Sequence, residues 1–114
     1  MLTELKVADF VSELASNKPA PGGGSASALA GALAAALAKM VAQLSEGQSE
    51  IAARAEVLVN QLLHLVNRDT QAFNQVMAAF KLPKGTDEEK QARREQIQAA
   101  TRLAAEVPLQ IMKF

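Results

Sequence analysis

The stretch Pro19-Ala20-Pro21-Gly22-Gly23-Gly24-Ser25, followed without a break by an alanine- and leucine-rich run to Leu44, constrains this chain more than any other. Proline removes a backbone donor and glycine gives up the most backbone entropy, so two prolines and three glycines read as loop rather than helix interior. The loop ends where a helix begins, because Ser25 is a favoured N-cap residue type. Beyond it the first helical turn presents unpaired N–H groups at the positive end of a helix dipole, and glycines put no side chain in the way. That outlines an anion cradle. The same residues also suit a tight interhelical turn in which glycine only lets backbones pass closely.

At 114 residues the chain has the length of one domain, with room for a single modest core. Twelve basic and twelve acidic residues cancel. No overall field gathers nucleic acid or an anionic membrane, so an anion site has to be local. Cysteine is absent, which excludes disulfides, thiolate metal sites and cysteine nucleophiles and fits a reducing cytoplasm. Tyr and Trp are missing too, and with them the aromatic platforms on which single-stranded nucleic acid stacks. The N-terminus, Met1 to Lys6, lacks the continuous apolar core of a signal peptide. The run Ala26 to Ala38 is too short for a bilayer, carries Ser27 and Gly31 and meets Lys39, so it reads as a buried soluble helix.

Apolar residues at three- and four-residue spacing predict a first helix from about Thr3 to Ser16. The second, Ser25 to about Glu46, is apolar nearly all round, and a helix without a wet face is enclosed by neighbours. Ser27, Gly31 and Ala35 form a small-residue seam along it. So short a chain has few helices with which to enclose it, which favours a homo-oligomeric interface over packing within one copy. Gly47 ends this helix, and the next continues from Ser49 to Lys81, on the order of 50 Å. Its apolar stripe runs Leu58, Leu62, Leu65, then Asp69, then Phe73, Val76 and Phe80. A carboxylate on a packed face is costly unless paired, hydrogen-bonded or turned to a polar cavity, which makes Asp69 the chemically informative residue. A structural salt bridge or an interhelical hydrogen bond would also account for it.

His64, the single histidine, shares a wet side with Asn60, Asn67, Arg68 and Gln71 and reads as solvated. Met40, Met77 and Met112 read as core filler. Leu82-Pro83-Lys84-Gly85 stops the long helix, and Thr86-Asp87-Glu88-Glu89 is a capping box for a fourth. Ala92, Gln96, Ala99, Ala100, Leu103, Ala104 and Val107 point inward on that helix. Lys84, on a short rigid loop, is either solvated or within reach of an anionic ligand. Pro108 suits the first position of a short fifth helix carrying Leu109, Ile111, Met112 and Phe114.

Four ordered motifs carry a resemblance: Pro19 to Ala26 with the helix to Met40-Val41; Asp69-Thr70-Gln71-Ala72-Phe73-Asn74-Gln75-Val76-Met77; Leu82-Pro83-Lys84 with Thr86, Glu88, Glu89 and Lys90; and Ala105-Glu106-Val107-Pro108-Leu109. Together they resemble the cyclodeaminase domain of formiminotransferase-cyclodeaminase and its single-domain bacterial relatives, cyclodeaminases and methenyltetrahydrofolate cyclohydrolases. The resemblance implies an all-α, antiparallel bundle of four long helices plus a short C-terminal one, a homodimer, and a tetrahydrofolate derivative bound between the helices and the dimer partner. It implies Asp69 as the catalytic carboxylate, Gly22, Gly23, Gly24 and Ser25 lining the folate site, and Lys84 as a candidate for the ligand's carboxylates. Two departures stand out. Gly47-Gln48-Ser49-Glu50 replaces a basic, aromatic patch, and the family's further helices beyond Val107-Pro108-Leu109 are absent from residues 1–114, which resemble the N-terminal part of the domain.

The expected activity is that of a cytoplasmic formimidoyltetrahydrofolate cyclodeaminase, releasing ammonia and forming 5,10-methenyltetrahydrofolate with no metal or redox cofactor and no nucleic-acid or membrane partner. A methenyltetrahydrofolate cyclohydrolase and a non-catalytic helical folate-binding or oligomerisation module are the alternatives.

Overall fold

The computed structural model describes residues 1–113, so Phe114 lies outside the described residues. A 3₁₀ turn, Leu2–Glu4, is followed by α1 (Val7–Leu14), α2 (Gly23–Leu44), α3 (Ser49–Phe80) and α4 (Asp87–Met112); among the described residues there is no strand. The long α3 is the spine: α2 and α4 both pack along it and barely meet each other. The chain measures 67 × 27 × 17 Å with a radius of gyration of 18.0 Å, against about 13 Å for a compact domain of this length. Its core is correspondingly thin. Phe10, Ala28, Ala32, Leu62, Leu65, Val66, Ala72 and Val107 form it, and alanine is the commonest residue in that cluster.

The N-terminal helix is shorter than its periodicity predicts. Leu5 and Lys6 are extended, and the segment splits into the 3₁₀ turn and α1. Asn67 on α3 accepts from the Thr3 amide at 3.3 Å and donates Nδ2 to Thr3 Oγ1 at 2.9 Å, so α3 engages one donor and one acceptor of the first turn. Asn67, expected on a wet face, is thus a tie between elements.

The start of α2 also differs from expectation. Gly22 is the N-cap, Gly23 and Gly24 lie inside the first turn, and Ser25 is a fully buried helical residue, not the cap. Close approach explains glycine here. A Cβ on Gly24 would stand 2.3 Å from the nearest Asp69 carboxylate oxygen, and one on Gly31 would stand 3.2 Å from Leu62. Of the small-residue seam read in the sequence, Gly31 abuts α3 and Ala35 is half-buried while Ser27 is exposed, and the fully packed positions of α2 are Ser25, Ala28, Ala32 and Ala42. Lys39 and Glu56 add an ion pair between α2 and α3. Gly47 turns the chain with φ 74°, a conformation suited to glycine.

Within one chain α2 is not enclosed. Leu33, Leu37, Met40, Val41 and Leu44 are 49–82% exposed on its outer face. By length and composition α2 is apolar enough to cross a membrane, and only 22% of its most apolar stretch is buried. Met77 and Met112 are exposed as well, so the methionines are not core filler in the single chain.

At the other end, Thr86 caps α4 as its sequence predicts, Oγ1 accepting from the Glu89 amide at 3.1 Å. Arg93 donates Nε and Nη2 to the Phe80 carbonyl at 3.3 and 3.2 Å and lies 5.6 Å from the Phe80 ring, satisfying a carbonyl at the end of α3. Among the described residues no fifth helix forms. Pro108 sits inside α4, which continues to Met112, because the fully buried Val107 anchors that turn against the core. Gln96 and Ala99, expected inward, instead border an open groove of about 550 Å³ between α3 and α4.

Candidate active site: a carboxylate against a glycine helix entrance

Asp69 sits on α3 between buried neighbours, Leu65 and Val66 one turn before it and Ala72 one turn after, and is itself half-buried. Its carboxylate lies against the bare Cα of Gly24. A Cβ there would be 2.3 Å from Oδ1 and 2.6 Å from both Cγ and Oδ2. No side chain with hydrogens on Cβ fits that position without moving the carboxylate.

The first intrahelical bond of α2 runs from the Ala26 amide to the Gly22 carbonyl at 3.1 Å, and no side chain caps the helix. The amides of Gly23, Gly24 and Ser25 precede that bond, so the carboxylate stands at the positive end of the α2 dipole. Ser25 reaches the same point from inside the fold. Its Oγ donates to the Val66 carbonyl at 2.8 Å, lies 3.3 Å from Asp69 Oδ2 and is 3.0 Å from Thr70 Oγ1. Being 0% exposed, its hydroxyl is closed to a ligand. The Ser25 side chain thus stands behind the carboxylate, leaving its backbone at the helix entrance.

The remaining expected site residues divide. Gly22 and Gly23 flank Gly24 at the helix entrance, with nothing near a Cβ position on Gly23 and only the Pro19 carbonyl, at 3.8 Å, near one on Gly22. Lys84 does not join them. It is exposed and borders a separate groove of about 350 Å³ with Lys90, Arg93 and Arg94. From Asp69 to Phe80 alone α3 advances about 16 Å, out of reach of a lysine on the following loop. His64 is exposed, beside Gln61 and Gln110.

Thr70 is the residue that periodicity passes over. A threonine next to the acid carries no distinctive sequence signal, and only the approach of Ser25 across 45 residues of chain gives its hydroxyl a partner. The cluster can exchange a proton at the carboxyl group and hold negative charge beside a cationic centre in a partly dehydrated setting. Ser25 is not a nucleophile in this arrangement, since its hydroxyl is buried and bonded to a backbone carbonyl.

Residues 6–114 match the family model described as formiminotransferase-cyclodeaminase. The methenyltetrahydrofolate cyclohydrolase of Methylorubrum extorquens is 41% identical over 110 residues, covering 88% of this chain and 53% of that protein. The formimidoyltransferase-cyclodeaminase of Gallus gallus is 36% identical over 109 residues, 87% of this chain and 20% of that one. The crystal structure of a formiminotetrahydrofolate cyclodeaminase from Thermotoga maritima superposes with a TM-score of 0.79 at 30% identity, over 99% of this chain and 57% of the other. This chain thus spans about half the length of its bacterial relatives and about a fifth of the animal one. With nearly all of its residues matched, and the all-helical fold shared with the Thermotoga protein, the chain belongs to the formiminotransferase-cyclodeaminase family.

Proposed function

We propose that this chain acts on a reduced folate as a formimidoyltetrahydrofolate cyclodeaminase, with Asp69 as its catalytic carboxylate. N10 of the substrate attacks the formimidoyl carbon, the N10–carbon bond forms, the bond from that carbon to the terminal nitrogen breaks, and ammonia leaves with 5,10-methenyltetrahydrofolate as product. With the formimidoyl group entering as its amidinium cation, the N10 proton has to leave and the departing NH2 group has to gain one to go as ammonia, so the positive charge stays on the methenyl product. A carboxyl group beside both nitrogens transfers it, and its negative charge stabilises the cationic methenyl centre. The observation that carries this reading is the Asp69 carboxylate resting on Gly24 at the uncapped entrance of α2. Gly22 and Gly23 then offer backbone surface to the ligand, without obstruction from side chains.

The same chain is proposed to work as a homodimer whose partner covers the outer face of α2 and completes the folate cleft. The exposed Leu33, Leu37, Met40, Val41 and Leu44 support that reading. The alternative activity, hydrolytic opening of the methenyl ring, is the one named for the 41% identical relative. Ammonia release from 5-formimidoyltetrahydrofolate and loss of methenyl absorbance separate the two. Asp69→Asn is expected to reduce whichever activity is present by at least about 100-fold, in the range that a positioned acid–base group contributes. Full activity in that variant refutes the assignment.

A further inference from the structure

We infer that Thr70 and Ser25 form a two-hydroxyl cradle that holds the Asp69 carboxyl group in one place through both of its protonation states. This rests on the proposed role of Asp69. Three oxygens converge on Ser25 Oγ: the Val66 carbonyl at 2.8 Å, Thr70 Oγ1 at 3.0 Å and Asp69 Oδ2 at 3.3 Å. A hydroxyl has one proton to give and two lone pairs to accept with. The carbonyl and an ionised carboxylate only accept, so the single Ser25 proton is contested between them. While Asp69 is ionised, Thr70 is the one of these three partners able to donate to Ser25.

The two states of the carboxyl group use the same atoms differently. When Asp69 is ionised, Thr70 donates to Ser25 and Ser25 turns its proton to Oδ2, a bond to a charged acceptor. The Val66 carbonyl tolerates this, because a mid-helix carbonyl already accepts the amide four residues on. When Asp69 holds a proton, Oδ2–H donates to Ser25, Thr70 donates to its second lone pair, and Ser25 turns its own proton to Val66. All three contacts are then filled. A proton shuttle that moved each time it changed charge would lose its alignment with the reacting nitrogens, and positional errors of this kind are costly to rate. Thr70 and Ser25 act through Asp69 and are positioning residues.

Thr70→Val keeps the shape and removes the hydroxyl, whereas Thr70→Ser restores the hydroxyl on a smaller side chain. Steady-state kinetics on 5-formimidoyltetrahydrofolate are expected to show a fall in kcat of about tenfold for Thr70→Val with KM within twofold, and recovery of most of the loss in Thr70→Ser. The independent readout is the Asp69 side-chain carboxyl carbon, followed by carbon-13 NMR without substrate. One sharp line is expected for the wild type and Thr70→Ser, and a broadened or displaced line for Thr70→Val, with circular dichroism reporting that all three are folded. Equal kcat and identical carboxyl lines in wild type and Thr70→Val overturn the cradle. If the wild type turns over neither folate, the proposed function fails while the carboxyl line still decides the cradle on its own.

Discussion

Gly24→Ala puts a single methyl group where the structure leaves none. The added Cβ would stand 2.3 Å from Oδ1 of Asp69, whereas real Cβ contacts essentially never fall below 3.0 Å and ordinary ones begin near 3.4 Å. The carboxylate therefore has to retreat by roughly 1 Å, and misplacement on that scale costs about 100-fold in rate, or about 2.7 kcal/mol of transition-state stabilisation. Folding stability is expected to respond differently. Alanine is favoured over glycine in a helix by up to about 1 kcal/mol, and loss of the Ser25 contact to Oδ2 offsets about 0.5–1.5 kcal/mol of that. Urea denaturation should thus place Gly24→Ala within about 1 kcal/mol of wild type while initial rates of ammonia release fall about 100-fold. Because both changes act through one group, Gly24→Ala combined with Asp69→Asn should be no slower than Asp69→Asn alone. Retention of wild-type kcat/KM by Gly24→Ala would refute the reasoning, and so would a loss of several kcal/mol in stability.

Leu37→Glu, at a position 59% exposed in one chain, should shift sedimentation toward the monomer with helix content unchanged, and an undiminished dimer would discount the outer face of α2 as the interface. The Lys39–Glu56 pair carries a pH signature: a hydrogen bond and the charge of Lys39 hold the Glu56 carboxyl below its ordinary value of 4.5. A carboxylate depressed in the folded state contributes stability above its unfolded value and loses it as pH falls through the folded one. Thermal melts of wild type and Glu56→Gln should therefore differ near neutrality and converge as pH drops below about 4.5, with a gap that persists in acid counting against the pair.

The elements that sequence reasoning recovers are those specified by local chemistry. Thr86 with Glu89 three residues later fixes the start of α4 through one side-chain-to-amide bond, and the uninterrupted period from Ser49 to Phe80 fixes α3. Asp69 is readable because it violates the same period. What escapes is set by contacts remote in the chain. Ser25 has the chemistry of an N-cap, but bonding to Val66 and Thr70 draws it inside the helix and moves the cap to Gly22. Pro108 has the chemistry of a helix start, but Val107 before it is fully buried and α4 runs on past both to Met112.

In the proposed homodimer the packing of α2 ties the site to assembly. Its inner face offers α3 mainly Ser25, Ala28, Ala32 and Ala42, whereas its leucines at 33, 37 and 44 lie outside. Alanine buries little apolar area, and full burial of a leucine is worth about 1.5–3 kcal/mol, so most of the hydrophobic stabilisation available to α2 lies on the face that a single chain leaves open. The position of Gly24, and with it the surface against which Asp69 rests, depends on α2 lying close along α3. Covering the outer face therefore stabilises the entrance of the helix as well as the interface. On that reasoning specific activity should fall on dilution through the dimer dissociation range and return when the protein is concentrated, and Leu37→Glu should lower kcat at a site it does not touch. Specific activity independent of protein concentration, in a sample that sedimentation shows to dissociate, would uncouple the two.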